Sequence, residues 1–293
     1  MVGKLIRSLQ YCFKYLLSRR LKSIFYRFKY LLRSNPTLNS ESRKHKVIIS
    51  LTTYGRRINN VDLTIRSLFD QTHKADVIIL NLAESEFSPN TIPRSLQALK
   101  NHGLIINYTA DTRSYKKLIP TLSLYPNDFI ITVDDDVLYP TFLVEYLMNA
   151  YHARPDTIHG FRGYRILQNN KKIAPYDKWQ KCRHADCGND IMLTGVGGVL
   201  YWPGCFHPDI TRQDLFMSLT PTSDDLWFKA MTALCGVASH CINHKGQFKK
   251  SFTYTNNSIH QPLSKQNKGL GENDKAITNL INHYPGLMAK LHN

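Results

Sequence analysis

The sequence predicts an α/β fold, with a mostly parallel central sheet flanked by helices. Three observations predict it. Apolar, β-branched runs recur through the first half of the chain. Segments with helical spacing separate them. The runs are apolar throughout instead of alternating, which is how strands read when both faces of a sheet are covered.

The first run is VIISLTT (47–53). Residues 60–71 (NVDLTIRSLFDQ) then place Val61, Ile65, Leu68 and Phe69 on one helical face. VIILNL (77–82) is the second strand. A helix is expected over 91–101, with Pro93 near its start, followed by strand LIINY (104–108). Residues 114–123 read as helix, FIITV (129–133) as a fourth strand, and Pro140 opens a helix through about Tyr151. The second half is less regular. It holds a Gly-rich strand region, TGVGGVLYWPG (194–204), a helix from Ser223 to about Leu234, and a polar tail with a helix near 273–283.

With 293 residues, 42% apolar and 20% charged, the chain has the composition of a globular core. Its charge is uneven. The net charge is +16, and residues 1–40 hold nine Lys or Arg and no Asp or Glu. Residues 1–34 mix those charges with Leu, Ile, Phe and Tyr. No stretch there reaches the roughly 20 apolar residues of a membrane span, and charges interrupt any signal-peptide core. The mixture suits a basic amphipathic helix on an anionic membrane surface. A basic helix packed on its own domain, or a nucleic-acid arm, would share the composition. Residues 35–45 are polar and read as a linker, leaving 46–293 as the globular domain. The six cysteines form no CxxC pair; Cys182 and Cys187 flank His184 in one loose cluster. Without a signal peptide, reduced thiols and a cytoplasmic setting are expected, peripheral on the inner face of the membrane.

The most informative stretch is FIITVDDDVLYP (129–140). A greasy strand runs straight into Asp134, Asp135 and Asp136. Adjacent carboxylates repel, and a cation at the strand end would relieve them. Carboxylate oxygens suit hard ions, Mn²⁺ or Mg²⁺. The alternative is that the acids favour the N-terminus of the next helix.

A buried strand ending in DDD is similar to the DxD motif of GT-A fold (Rossmann-like) glycosyltransferases. VIISLTTYGRR (47–57) with SLFDQTHKADVIILNL (67–82) resembles the opening of bacterial family 2-like transferases. The order VDDD (133–136), GFR (160–162), LTGVGGVLY (193–201) and SDDLWF (223–228) resembles exostosin-like (family 64-like) transferases. The resemblance spans about residues 46–260.

It implies a nucleotide-sugar donor, with UDP the expected nucleotide. Thr52 and Thr53 would lie by the nucleoside, although such residues also cap and turn chains. Asn81 would present its amide to the base. Arg113, Lys116 and Lys117 would hold the donor phosphates, with at least one of the lysines expected on a solvated helix face instead. Asp136 and Asp134 would ligate the metal, Asp134 also facing the ribose or sugar, and Asp135 would touch the donor sugar. His260 is the candidate third ligand, with His244 its competitor. Asp225, then Asp224, would sit beside the reacting carbon, with Asp225 the general base in an inverting enzyme. Ordinary capping, with Thr222 or Ser223 as the cap, is the alternative for that acidic pair. Trp227 would line the acceptor site or belong to the core.

Gly195, Gly197 and Gly198 permit close backbone approach. They form no GxGxxG fingerprint, which excludes a dinucleotide cofactor. The acceptor would be a glycan or a lipid-linked oligosaccharide at the membrane. A nucleotidyltransferase acting on sugar phosphates is the first rival, but TTYGRRINN (52–60) has one glycine where a Gly-rich phosphate loop belongs. A non-catalytic nucleic-acid binder would use the charge and leaves the DDD strand without a purpose, so no specific nucleic acid is expected.

Overall fold

The computed structural model describes residues 37–169, 172–183, 185–242, 248–255 and 271–292, together with Leu21, Ile24 and Phe28. Strands β1 (Val47–Thr52), β2 (Val77–Ala83), β3 (Leu104–Thr109) and β4 (Phe129–Thr132) appear where the apolar runs lie. Helices α1 (Val61–Phe69) and α2 (Arg94–Lys100) fall between them. The expected helix over 114–123 is divided. Residues Arg113–Lys117 form a 3₁₀ turn, and α3 (Ile119–Leu124) follows it. Leu118, at φ −128°, interrupts the helical path between the two, and Pro120 fits the first turn of α3.

The second half is built from shorter pieces. Strand β5 (Val137–Leu138) precedes α4 (Leu143–Ala153). Then come β6 (Thr157–Gly160), β7 (Gly163–Arg165), the β8 (Gln168–Asn169) and β9 (Lys172–Ile173) pair, β10 (Gln180–Lys181), β11 (Cys187–Gly188) and β12 (Ile191–Leu193). The Gly-rich region is a 3₁₀ turn, Gly195–Gly197, before β13 (Val199–Tyr201). The chain ends through α5 (Gln213–Leu219), α6 (Asp224–Leu234), β14 (Ala238–Cys241), α7 (Phe248–Ser251), β15 (Thr253–Tyr254), α8 (Glu272–His283) and α9 (Leu287–His292).

Eight strands form the central sheet in the order β11-β14-β6-β13-β4-β1-β2-β3. The β4-β1-β2-β3 half is wholly parallel. Strand β13 enters antiparallel between β4 and β6. Both faces are covered, which is why the runs are continuous. Ile49, Leu80 and Ile131 pack with α1, α2 and α4 on one face. Ile48, Ile79 and Ile130 pack with α5, α6, α8 and α9 on the other. The α/β class with a mostly parallel sheet therefore stands, with β13 and β11 as its antiparallel members.

Helix α6 carries a buried lysine. Lys229 Nζ donates to Ser239 Oγ at 3.2 Å. Burial pulls its pKa down to about 7, with Asp190 opposing. A lysine lowered in the fold costs stability as pH falls from its usual 10.5 towards 7. Lys229→Met is expected to raise stability by about 1–3 kcal/mol at pH 7 and to give no gain near pH 10.5 or above. Denaturant melts at the two pH values check this.

Candidate active site

Chain order reverses at β1: β2 and β3 are added on one side and β4 on the other. Such a switch point opens a crevice beyond the carboxyl ends of the strands. A cleft of about 1030 Å³ lies there. Thr52 and Thr53 line it from the end of β1, and Asp134, Asp135 and Asp136 from the end of β4. Arg113, Lys116 and Lys117 come from the 3₁₀ turn, and Asp224 and Asp225 from the start of α6.

The DDD turn is tied down from several sides. Thr53 Oγ1 donates to Asp135 Oδ2 at 2.5 Å, and Thr64 Oγ1 donates to the Asp135 carbonyl at 3.0 Å. Asp134 N–H donates to Tyr139 Oη at 2.8 Å, and Thr255 N–H to the Asp136 carbonyl at 2.7 Å. The helix-terminus alternative fails for these acids. Strand β5 and Pro140 intervene before α4 begins at Leu143.

Two buried cations divide five carboxylates. Arg57 Nη2 lies 3.0 Å from Asp135 Oδ1 and 2.8 Å from Asp136 Oδ2. Lys117 Nζ lies 2.6 Å from Asp224 Oδ2, 3.3 Å from Asp225 Oδ1 and 3.5 Å from Asp134 Oδ1. Burial alone would lower the Lys117 pKa; Asp224, Asp225 and Asp134 together raise it well above the usual value. The carboxylates move the other way. Burial pushes Asp135 up to about 6, against Arg57. Burial and the Asp135 charge push Asp136 up to about 7. Burial, against Lys117 but helped by Asp224 and Asp134, pushes Asp225 up to about 7.

The acidic pair on α6 is more than a cap. Ser223 precedes the helix without a side-chain capping bond, and its Oγ donates to Asn273 Oδ1 at 2.6 Å. Asp225 accepts the N–H of Gly195 at 3.3 and 3.4 Å. A Cβ on Gly195 would stand 2.6 Å from both Asp134 Oδ1 and Lys117 Nζ. Gly195→Ala is therefore expected to fold but to force Asp134 and Lys117 apart, costing about 1–3 kcal/mol of stability. Calorimetry alongside circular dichroism checks it.

The residues fit a divalent cation in part. Five carboxylates against two cations leave surplus negative charge, and the donors are hard oxygens. The Asp134 side chain is 35% exposed and Asp136 16%, so these two can offer oxygens to the cleft. Asp135, 7% exposed and held by Thr53 and Arg57, is closed off. Two carboxylates completed by substrate phosphates is a usual arrangement for Mg²⁺. Among the described residues, no three His, Cys, Asp or Glu form a ready-made cage. His260 and His244 lie outside the described residues.

Several expectations are corrected. Asn81 does not reach the cleft. It is fully buried, its Nδ2 donates to Ser50 Oγ and Thr121 Oγ1, and its Oδ1 accepts from Asn107 Nδ2. Its amide is spent inside the sheet and is not offered to a base. Neither lysine sits on a solvated face. Lys116 is buried and ion-paired with Asp111, and Lys117 is buried among acids. Trp227 is core, with Nε1 donating to the Ile210 carbonyl. Arg113, at φ 54°, leans away to donate to the Pro221 carbonyl at 3.0 Å while still lining the cleft. Thr52 lines it too, its Oγ1 donating to the Asn81 carbonyl.

Residues given no role by the sequence complete the cleft: Arg57 and Arg162, which lie in motifs quoted above, and Tyr164, Tyr176 and Asn273. Arg162 donates to Thr194 Oγ1 and Tyr164 Oη. Tyr164 and Tyr176 pack with ring centroids 5.8 Å apart.

No protein-family model matches the chain, and no curated protein matches it in sequence. Solved structures resemble it distantly. A mannosyltransferase from Pyrobaculum calidifontis, in complex with GDP-Man and Mn²⁺, is 13% identical over 50% of this chain, with a TM-score of 0.34. The chain spans 44% of that protein's length. The inositol-1-phosphate CTP transferase of T. maritima is 10% identical over 86% of this chain and 98% of its own, with a TM-score of 0.42. A CMP:2-keto-3-deoxy-manno-octonic acid synthetase complexed with CTP is 12% identical over 67% of this chain and 88% of its own, with a TM-score of 0.40. Identities this low carry no assignment of activity.

Proposed function

We propose that this chain is a metal-dependent glycosyltransferase. It would move a sugar from a nucleotide-diphosphate donor, with UDP expected, to a hydroxyl of a glycan or lipid-linked acceptor. One observation carries the reading. Two acidic motifs far apart in sequence, at the end of β4 and the start of α6, meet in one cleft across Lys117.

Thr52 and Thr53, which line the cleft, would lie by the nucleoside, and Arg113 and Lys117, which line it too, would hold the diphosphate. Asp136 and Asp134 would hold Mn²⁺ or Mg²⁺, whose charge when bound would stabilise a departing diphosphate. Asp225, with its proton affinity raised to about 7, suits a group that takes the acceptor hydroxyl's proton near neutral pH. At about 1030 Å³ the cleft stands at the upper end of ligand pockets, roughly 300–1,000 Å³. Tyr164 and Tyr176 would line the acceptor end.

The test is a screen of nucleotide sugars for Mn²⁺-dependent hydrolysis, comparing wild type with Asp136→Ala. Hydrolysis in wild type and its loss in the variant are expected; equal turnover would remove Asp136 from the site. Release of pyrophosphate in place of UDP would point to nucleotidyl transfer.

The basic N-terminal segment would hold the enzyme at the membrane. Leu21, Ile24 and Phe28 are helical and exposed, at a spacing that puts all three on one face. No described helix is long and apolar enough to cross a membrane; the charges spread along residues 1–34 favour attachment to the surface. Removing residues 1–34 should release the protein from vesicles containing anionic lipid, and full retention would end this part of the reading.

A further inference from the structure

Arg57 occupies an unexpected place. It belongs to the 3₁₀ turn Gly55–Asn59, directly after β1. The turn is pinned: Gly55, at φ 51°, donates its N–H to Glu86 Oε1 at 2.6 Å. The Arg57 guanidinium lies 5.2 Å from the centroid of the Tyr54 ring, with Nη1 3.5 Å from Tyr54 Oη. Thus held, and only 10% exposed, it bridges Asp135 and Asp136. The carboxylate of the three that Arg57 does not touch is Asp134, which is also the most exposed.

We infer that Arg57 is the protein's own counter-cation for the DDD turn, and that it reserves divalent-metal binding for the moment the nucleotide diphosphate arrives. The inference rests on the glycosyl-transfer reading of the same cleft. A fixed positive charge 2.8 Å from Asp136 Oδ2 opposes a second cation on that carboxylate. The free protein therefore meets Mn²⁺ with Asp134, whose Oδ1 lies 3.5 Å from Lys117 Nζ, and a half-neutralised Asp136. A diphosphate adds negative charge and oxygen ligands together, and a cation then finds a full set of donors. Arg57 thereby also holds Asp136 in position before the metal comes, making it a positioning residue.

The experiment reads metal binding and not turnover. Free Mn²⁺ is followed by its electron paramagnetic resonance signal during titration of the full chain, with and without UDP. Wild type should bind Mn²⁺ at least about tenfold more tightly with UDP present, and weakly without it. Arg57→Met, which removes the charge and keeps an apolar stem, should bind Mn²⁺ alone roughly tenfold more tightly than wild type. Tight binding of Mn²⁺ by wild type without UDP would overturn the inference, and that arm needs no variant. A folded Arg57→Met that binds Mn²⁺ no better than wild type would overturn it as well. If wild type binds no Mn²⁺ even with UDP, the metal-dependent transferase reading itself falls, an outcome distinct from equal binding in both conditions.

Discussion

Asp225→Asn should lose about 10²–10⁴-fold in the proposed sugar transfer, the usual range for a removed general base, while affinity for the proposed nucleotide stays within a few-fold. The carboxylate sits against Lys117 and the Gly195 N–H, between the DDD turn and the tyrosine-lined end of the cleft. Asparagine keeps the shape and can still accept a hydrogen bond, but cannot take a proton. Stability should move the other way. The Asp225 pKa is raised from 3.8 to about 7. A carboxylate raised in the fold contributes its stability below the unfolded value and loses it as pH rises through the folded one. The loss here falls between about pH 4 and 7. Asparagine escapes it, so the variant should melt a few degrees higher than wild type at pH 8, about 1 kcal/mol, and not at pH 4. Transfer assays and thermal melts at both pH values decide the matter. An active Asp225→Asn would move the base elsewhere.

Lys117→Met should be among the most damaging single changes in the described part of the protein. Lys117 is the shared cation of Asp134, Asp224 and Asp225. Its removal leaves carboxylates facing one another in a buried place. Breaking such a pair from one side costs about 3–5 kcal/mol, or roughly 6–20 °C of melting temperature for a domain of this size. The penalty depends on the acids being ionised, so it should shrink as the pH is lowered to 5 and grow at pH 8. Melting curves of the variant across that range check the sign. A variant as stable as wild type at pH 8 would show that the lysine is not what holds these acids together.

The parallel half of the fold was legible because its physics is local to each strand. A strand buried on both faces must be apolar at every position, and β1, β2 and β4 announce themselves that way. The second half was not. Strands β7, β10, β11 and β12 are two or three residues long, too short for any period. Their pairing depends on partners distant in sequence. The site divides similarly. The acids stood out because charge after a buried strand needs a reason. Arg57 did not, since nothing in TTYGRR tells which arginine turns inward. Tyr164, Tyr176 and Asn273 come from three separate elements that only the fold assembles. Asn81 misled because an amide at a strand end reads as a ligand contact until its neighbours across the sheet are known.

Those neighbours have a consequence of their own. Ser50, Asn81, Asn107 and Thr121 bond side chain to side chain across three parallel strands and α3, in a layer otherwise apolar. Strand registry pairs Thr52 with Asn81, and Asn81 with Asn107. A slip of one residue would turn each side chain to the opposite face. It would strand two amides in hydrocarbon, at a cost of roughly 1–3 kcal/mol for each group left unpaired. A misaligned sheet is thus penalised at its centre once the helices cover it. The ladder favours the native register over its neighbours, and with it the place beside the cleft of Thr52 and Thr53 at the end of β1.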